Sequence, residues 1–215
     1  NQIKAVICHH NTYLTAIPAR IAIYKNIKCL TDQDFKLYQL NKKNLKAGLQ
    51  FRSYKKDFQK FSKSFQKKAI KKSNLDLIKK FGGDTKHEYY MLKSPFSKIK
   101  IKKRFIKKNK KFKILILPLS FYDSPSGYGG NLFNDFYEWL TFILKFSLKT
   151  NYDWYIKLHP DVFLKWDYHN YEIVLGLLKN YKNVELIPPE VSHNQIIKEG
   201  INAALTIHGT VGSEY

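Results

Sequence analysis

The stretch FKILILPLS, residues 112–120, decides the fold class. A near-continuous apolar run of this length, rich in Ile and Leu, marks a strand covered on both faces, as in a parallel sheet. A polar, Gly-rich loop follows, FYDSPSGYGG, and then an amphipathic segment over residues 131–149. Its apolar residues Leu132, Phe136, Trp139, Leu140, Ile143 and Phe146 recur at helical spacing and are expected to face inward. WYIKLHP, 154–160, reads as the next strand and its exit. Residues 170–180 read as a helix, VELIP, 184–188, as a strand, and HNQIIKEG, 193–200, as a short helix. AALTIHG, 203–209, is a further strand, and TVGSEY is a helix start. This alternation predicts an α/β fold with a parallel sheet and helices on both faces.

Toward the N-terminus the pattern changes. IKAVICH, 3–9, reads as a buried strand. Residues 13–25 read as a helix with Leu14, Ile17, Ile21 and Tyr24 on one face and Pro18 as a kink or a late start. Residues 27–31 and 35–40 read as short strands. Residues 44–80 look helical, with Phe51, Tyr54, Phe58, Phe61 and Phe65 stepping by three and four. That aromatic stripe is expected to pack the helix on its domain, or else to lie on lipid as an interfacial helix. Gly82 and Gly83 end it. Residues 93–111, Lys-rich with Pro95, read as a linker between two domains.

The 215 residues carry a formal net charge of +21, concentrated in one place. Residues 41–114 hold 26 Lys and Arg against four Asp and Glu, and the rest of the chain is near neutral. Of the 38 basic residues 35 are Lys, so compositional bias with a solvated face explains much of the excess. Attraction to an anionic membrane surface or glycan is a second reading, and nucleic-acid binding a third. Bidentate phosphate and base recognition favours Arg, and this segment has only Arg52 and Arg104.

Composition excludes collagen-like, low-complexity and wholly disordered chains. No run of 18 uninterrupted apolar residues suggests a membrane span, and the opening NQIKAVICHH does not read as a secretory signal. That opening, and a stop at GTVGSEY, are what a fragment cut at both ends would show. Cys8 and Cys29 do not make a disulfide framework, so a reduced, cytoplasmic chain is expected.

In open α/β sheets, ligands bind outside the carboxyl ends of the strands. Three polar clusters fall there: the Asp123 loop, Lys157-Leu158-His159-Pro160, and HGTVGSE over 208–214. Gly209 and Gly212 allow close backbone approach, Thr210 and Ser213 offer hydroxyls, and a helix start there would favour phosphate. Glu214 can accept from two ribose hydroxyls. The bland alternative is N-capping by Thr210 and glycines that fit a turn. By alternation Lys157 and His159 share one side of their strand, where either can face an anion or simply cap it. His9, His10, Asn11 and Arg20 are a weaker set, and His9-His10 without matching Cys, Asp or Glu is no metal signature. No P-loop, GxGxxG or GxSxG occurs.

The order of the Asp-Ser-Pro loop, LFNDFYEWL, YIKLHP, VELIPPEVS and LTIHGTVGSEY resembles bacterial capsule and surface polysaccharide glycosyltransferases of the GT-B fold. Capsular Kdo transferases are the nearest group. HHNTYLTAIPARIAIYKNI is similar to the segment that closes the family's first domain. The likeness covers 112–215 well and 5–40 in part, and 41–111 not at all. The His-Pro pair also occurs in bacterial sialyltransferases and teichoic acid glycerophosphate polymerases.

The resemblance implies two Rossmann-like domains with parallel sheets, the N-terminal one incomplete (1–41) and the C-terminal one truncated (112–215). A Lys-rich helical insertion and linker (42–111) would lie between them. It implies a transferase moving sugar from a CMP- or UDP-linked donor to a polysaccharide or glycolipid acceptor at the cytoplasmic face of the inner membrane, with no metal or other cofactor required. Lys157, His159, Gly209, Thr210, Ser213 and Glu214 would hold the nucleotide and its phosphates. His159 would act in catalysis, with Asp123 or His10 as the candidate base. The alternatives are a CDP-activated glycerophosphate or phosphosugar polymerase, a basic nucleic-acid-binding protein, or a polysaccharide-export accessory protein.

Overall fold

The computed structural model describes residues 3–9, 16–33, 36–45, 54–84, 93–96, 100–122, 132–163 and 168–215. The chain divides into two compact units, one of residues 1–67 and 124–134, the other of residues 68–123 and 135–215.

In the first unit, β1 (Ala5–Cys8) pairs in parallel with β2 (Lys28–Gln33), which pairs antiparallel with β3 (Lys36–Leu40). The connection from β1 to β2 carries α1 (Ala16–Tyr24). Pro18 is its third residue, a first-turn position where the missing N–H has no partner to lose. The inward face is not the expected one. Ala16, Ala19, Ala22 and Ile23 are buried, while Ile17, Ile21 and Tyr24 are exposed. Small side chains let the helix axis approach the sheet, so Ala19 and Ala22, with Ile23, cover Cys8, Cys29 and Leu40, while Ile17, Ile21 and Tyr24 turn away. Both thiols are free and buried, and burial, together with the neighbouring Cys8, raises the Cys29 pKa to about 11.

The expected helix over 44–80 is two helices, α2 (Tyr54–Gln59) and α3 (Lys63–Phe81). Residues 46–53, with Phe51, lie outside the described residues. The break at 60–62 has a local cause. The Ser62 hydroxyl accepts from the Phe65 N–H at 3.3 Å, and the Gln66 amide reaches back to the Phe61 carbonyl at 2.7 Å, so a new helix is capped there. Neither helix buries a residue, and Tyr54, Phe61 and Phe65 are exposed, so the aromatic stripe does not pack as expected. Gly83 ends α3 in a left-handed conformation, φ 88°.

The second unit holds the parallel sheet. Its strands are β4 (Lys113–Ile116), β5 (Asp153–Lys157), β6 (Val184–Ile187) and β7 (Ala203–Leu205), in the spatial order β6-β5-β4-β7, all parallel. The connecting helices are α4 (Phe136–Ser147), α5 (Tyr168–Leu178) and α6 (His193–Glu199). The run at 112–120 does supply a central strand: every residue of β4 is buried, with β5 on one side and β7 on the other. Asp135 caps α4 by accepting from the Glu138 N–H at 2.7 Å, which leaves Leu132 outside the helix and 94% exposed rather than inward.

Each face of the sheet has its own cover. Phe146 of α4 meets the ring of Trp154, edge to face. On the opposite face Leu115, Leu117, Tyr155 and Ile187 pack with Ile196 of α6 and with Ile106. Ile106 belongs to residues 93–111, expected as a linker between two domains. That reading is corrected: the described residues among them, 93–96 and 100–111, form a strap bound to the second unit. Phe96 and Ile106 are each only 1% exposed. The buried Tyr155 hydroxyl accepts from the Lys107 N–H at 3.0 Å, and the Glu199 carboxylate accepts from the N–H groups of Phe105 and Ile106. Apolar residues scattered among lysines show no period, yet each has a specific place. The end of α3 belongs here too, since the Phe81 carbonyl accepts from the Asn194 amide at 2.8 Å and the Phe81 ring meets Phe96.

Candidate functional site

The strand order sets where a ligand can enter. From β4 the chain winds outward through β5 to β6, then crosses back to β7 on the other side of β4. The winding direction therefore switches between β4 and β7, the place where doubly wound sheets bind ligands. The loops after these two strands are neighbours. The Leu117 N–H donates to the Leu205 carbonyl at 2.8 Å, and a Cβ on Gly209 would stand 3.6 Å from the Leu119 side chain.

The loop after β4 is held at its base by α5. The Asn170 amide donates to the Ser120 hydroxyl at 2.6 Å, and the Asn170 carbonyl oxygen accepts from the Phe121 N–H at 2.9 Å. Asn170 is 2% exposed, so this clamp is internal. Asp123 lies outside the described residues, as do His10 and Asn11. His9 is described, and its ring nitrogen pairs with the exposed Asp32 carboxylate at 2.8 Å.

The loop after β7 turns through a single 3-10 turn over Thr210–Ser213, not the α-helix start expected from TVGSEY. Its glycines serve Thr206. A Cβ on Gly209 would lie 3.0 Å from the Thr206 hydroxyl, and one on Gly212 would lie 3.1 Å from the Thr206 methyl. The Gly209 N–H donates to that hydroxyl at 3.3 Å. Thr206 is thus the post around which the loop is wound. Thr210 is exposed at its crest. The Glu214 carboxylate is only 8% exposed and forms an ion pair with Lys80, at the end of α3, at 2.8 Å. The side chain of Ser213 lies outside the described residues.

The densest chemistry is at the end of β5. Alternation holds: Lys157 follows Tyr155 on the α6 face, and its charge acts on His193 together with that of His159. Lys157 is 1% exposed, and its ammonium donates to the Leu158 carbonyl at 3.4 Å, a weak bond. Burial lowers its pKa to about 7, with the Glu190 carboxylate opposing the shift. His159 is half-buried, and its carbonyl accepts from the Val162 N–H at 3.0 Å, which fixes the turn at Pro160.

His193 was not singled out by sequence reasoning. It is the first residue of α6 and 4% exposed, with its ring between those of Phe96 and Tyr215 at 5.2 and 5.3 Å. Its backbone N–H donates to the Pro95 carbonyl at 2.9 Å. Burial first, then Lys157 and His159, push its pKa far below the ordinary imidazole value, so the ring is neutral. Its Nδ1 has no hydrogen-bond partner among the described residues. The one signal in the sequence was its position just beyond the carboxyl end of a predicted strand.

A cavity of about 280 Å³ opens along the outer edge of β7, lined by Ile197, Ile201, Asn202, Ala203, Ala204, Gly212 and Tyr215. It reaches the amino end of the strand and includes none of the basic cluster. Among the described residues no group of His, Cys, Asp and Glu is arranged to hold a metal, and no helix is long and apolar enough to cross a membrane. Comparison with protein families, curated proteins and solved structures finds no match to this chain.

Proposed function

We propose that this chain is part of a glycosyltransferase that moves a sugar from a nucleotide-activated donor to a surface polysaccharide or glycolipid. The observation that carries the reading is the parallel β6-β5-β4-β7 sheet, with Lys157 and His159 at the carboxyl end of β5, next to β4 where the winding switches. Doubly wound sheets bind nucleotides at that place, and a leaving nucleotide phosphate needs positive groups there. The sequence resemblance to GT-B transferases supports the same reading. In it residues 112–215 belong to the nucleotide-binding Rossmann-like domain, and residues 1–41 to the partner domain.

The donor phosphates lie against Lys157 and His159, which hold the charge that develops as the glycosidic bond to phosphate breaks. Asp123 and His10 are the candidate bases for the acceptor hydroxyl. CMP or UDP is the nucleotide, and no bound metal is needed for the step. The Lys-rich surface of α3, with Lys67, Lys68, Lys71 and Lys72 on two successive turns, suits attachment to an anionic cytoplasmic leaflet.

Calorimetric titration with CMP, CDP, UDP, GDP and ATP at two salt concentrations tests the reading. Selective binding of one pyrimidine nucleotide, weakened about tenfold or more by His159→Ala, is the expected result. No nucleotide binding, with steeply salt-dependent binding to DNA, would replace it with a basic nucleic-acid-binding protein.

A further inference from the structure

We propose that Lys157 and His193, with His159 beside them, form a buried anion site that takes a phosphoryl group. The proposal rests on the transferase reading only for its choice of ligand, the phosphate of an activated donor.

Lys157 ends β5, His159 follows it by two residues, and both act electrostatically on His193 at the start of α6. Lys157 pairs with Ile187 in the last rung between β5 and β6, and His193 follows Ile187 by six residues. Both side chains are almost wholly enclosed, at 1% and 4% exposure. Aromatic rings flank the imidazole, and among the described residues the ammonium has one long hydrogen bond. Glu190 is the carboxylate that acts on Lys157, and it is exposed; Glu214 is engaged by Lys80.

Packing alone gives no reason for this arrangement. A buried ammonium short of acceptors and a buried ring nitrogen without a partner both cost folding free energy, and an apolar residue of equal size would cost less. Such groups persist where they meet a ligand. A phosphoryl dianion supplies what is missing: oxygens to accept from the Lys157 ammonium and the His193 ring, and the charge that keeps Lys157 protonated. Half-buried His159 and exposed Glu190 border the cluster on its solvent side, and Tyr215 covers the His193 ring.

The test is thermal unfolding of the full chain, of Lys157→Met and of His193→Phe, each with and without inorganic pyrophosphate. Methionine and phenylalanine keep the volume and the ring stacking. Without pyrophosphate both variants are expected to melt at or above the wild type. With it, the wild type gains several degrees and each variant loses that gain, a drop in affinity of about tenfold or more. Variants that melt lower and keep the pyrophosphate shift would overturn the proposal and make the cluster a part of the core. If one variant fails to fold, the other decides by direct titration with pyrophosphate. A nucleotide that binds the wild type and both variants equally would remove this site and leave the transferase reading standing. A pyrophosphate effect lost in both variants, with no nucleotide bound, would keep the site and remove the transferase.

Discussion

The side-chain amide of Gln195 and the peptide of Ile101 exchange two hydrogen bonds. The Ile101 N–H donates to Oε1, and Nε2 donates to the Ile101 carbonyl, each at 3.0 Å. Nε2 also donates to the Lys103 carbonyl at 3.0 Å and to the Glu199 carboxylate at 2.8 Å. One buried side chain on α6 thus does for the strap what a neighbouring strand would do for an extended peptide. Gln195→Leu removes these partners at nearly constant volume. It is expected to destabilise the unit by about 2–4 kcal/mol, since each buried group left without a partner costs about 1–3 kcal/mol. Urea unfolding measures it, and a loss under 0.5 kcal/mol would mean that the strap is held by Phe96 and Ile106 alone.

Lys157 predicts an unusual dependence on pH. Its folded pKa, about 7, lies below the ordinary lysine value of 10.5. Between those values the unfolded chain binds more protons than the folded one, so stability rises with pH, by up to about 1.4 kcal/mol per pH unit. Below pH 7 the penalty of the buried ammonium is fully present, and above 10.5 it is gone. The stability of the wild type relative to Lys157→Met should therefore climb as pH is raised from 7 toward 10. A flat difference across that range would show that Lys157 stays charged and well solvated.

Lys80 and Glu214 give a third prediction. Their side chains are 19% and 8% exposed, so removing the cation leaves a carboxylate with little water around it. Lys80→Met should lower stability by about 2 kcal/mol, below the cost of breaking a fully buried pair. If Glu214 also accepts from ribose hydroxyls, the ion pair must open for it. Nucleotide binding by Lys80→Met should then be as tight as the wild type's or tighter. Weaker binding would show that the pair acts as a unit that shapes the loop.

What could be read from the sequence followed from strong local patterns. The apolar run at 112–120 and the helix within 131–149 each rest on a pattern that short-range chemistry enforces. The strap escaped because Phe96, Ile101, Phe105 and Ile106 are spaced without a period and are separated by lysines that read as a solvated linker. Their burial is decided by partners more than 90 residues away, Gln195 and Glu199. The inward face of α1 was misread because larger apolar side chains carry more weight in a periodicity argument than alanines, whereas close packing on a sheet favours the small ones. His193 was passed over because a histidine opening a short polar helix looks solvent-facing until the rings of Phe96 and Tyr215 are in place.

The strap also governs how this polypeptide can be dissected. A fragment starting at Phe112 would retain all four parallel strands yet lose the Ile106 side chain and the Lys107 N–H that cover Tyr155. It would present a greasy, unsaturated sheet face to water, a surface that invites self-association. A fragment starting near Lys68 keeps the end of α3, Phe96 and the strap. Expression boundaries drawn from composition, at the edge of the lysine-rich tract, would cut through the very layer that lets the sheet stand alone.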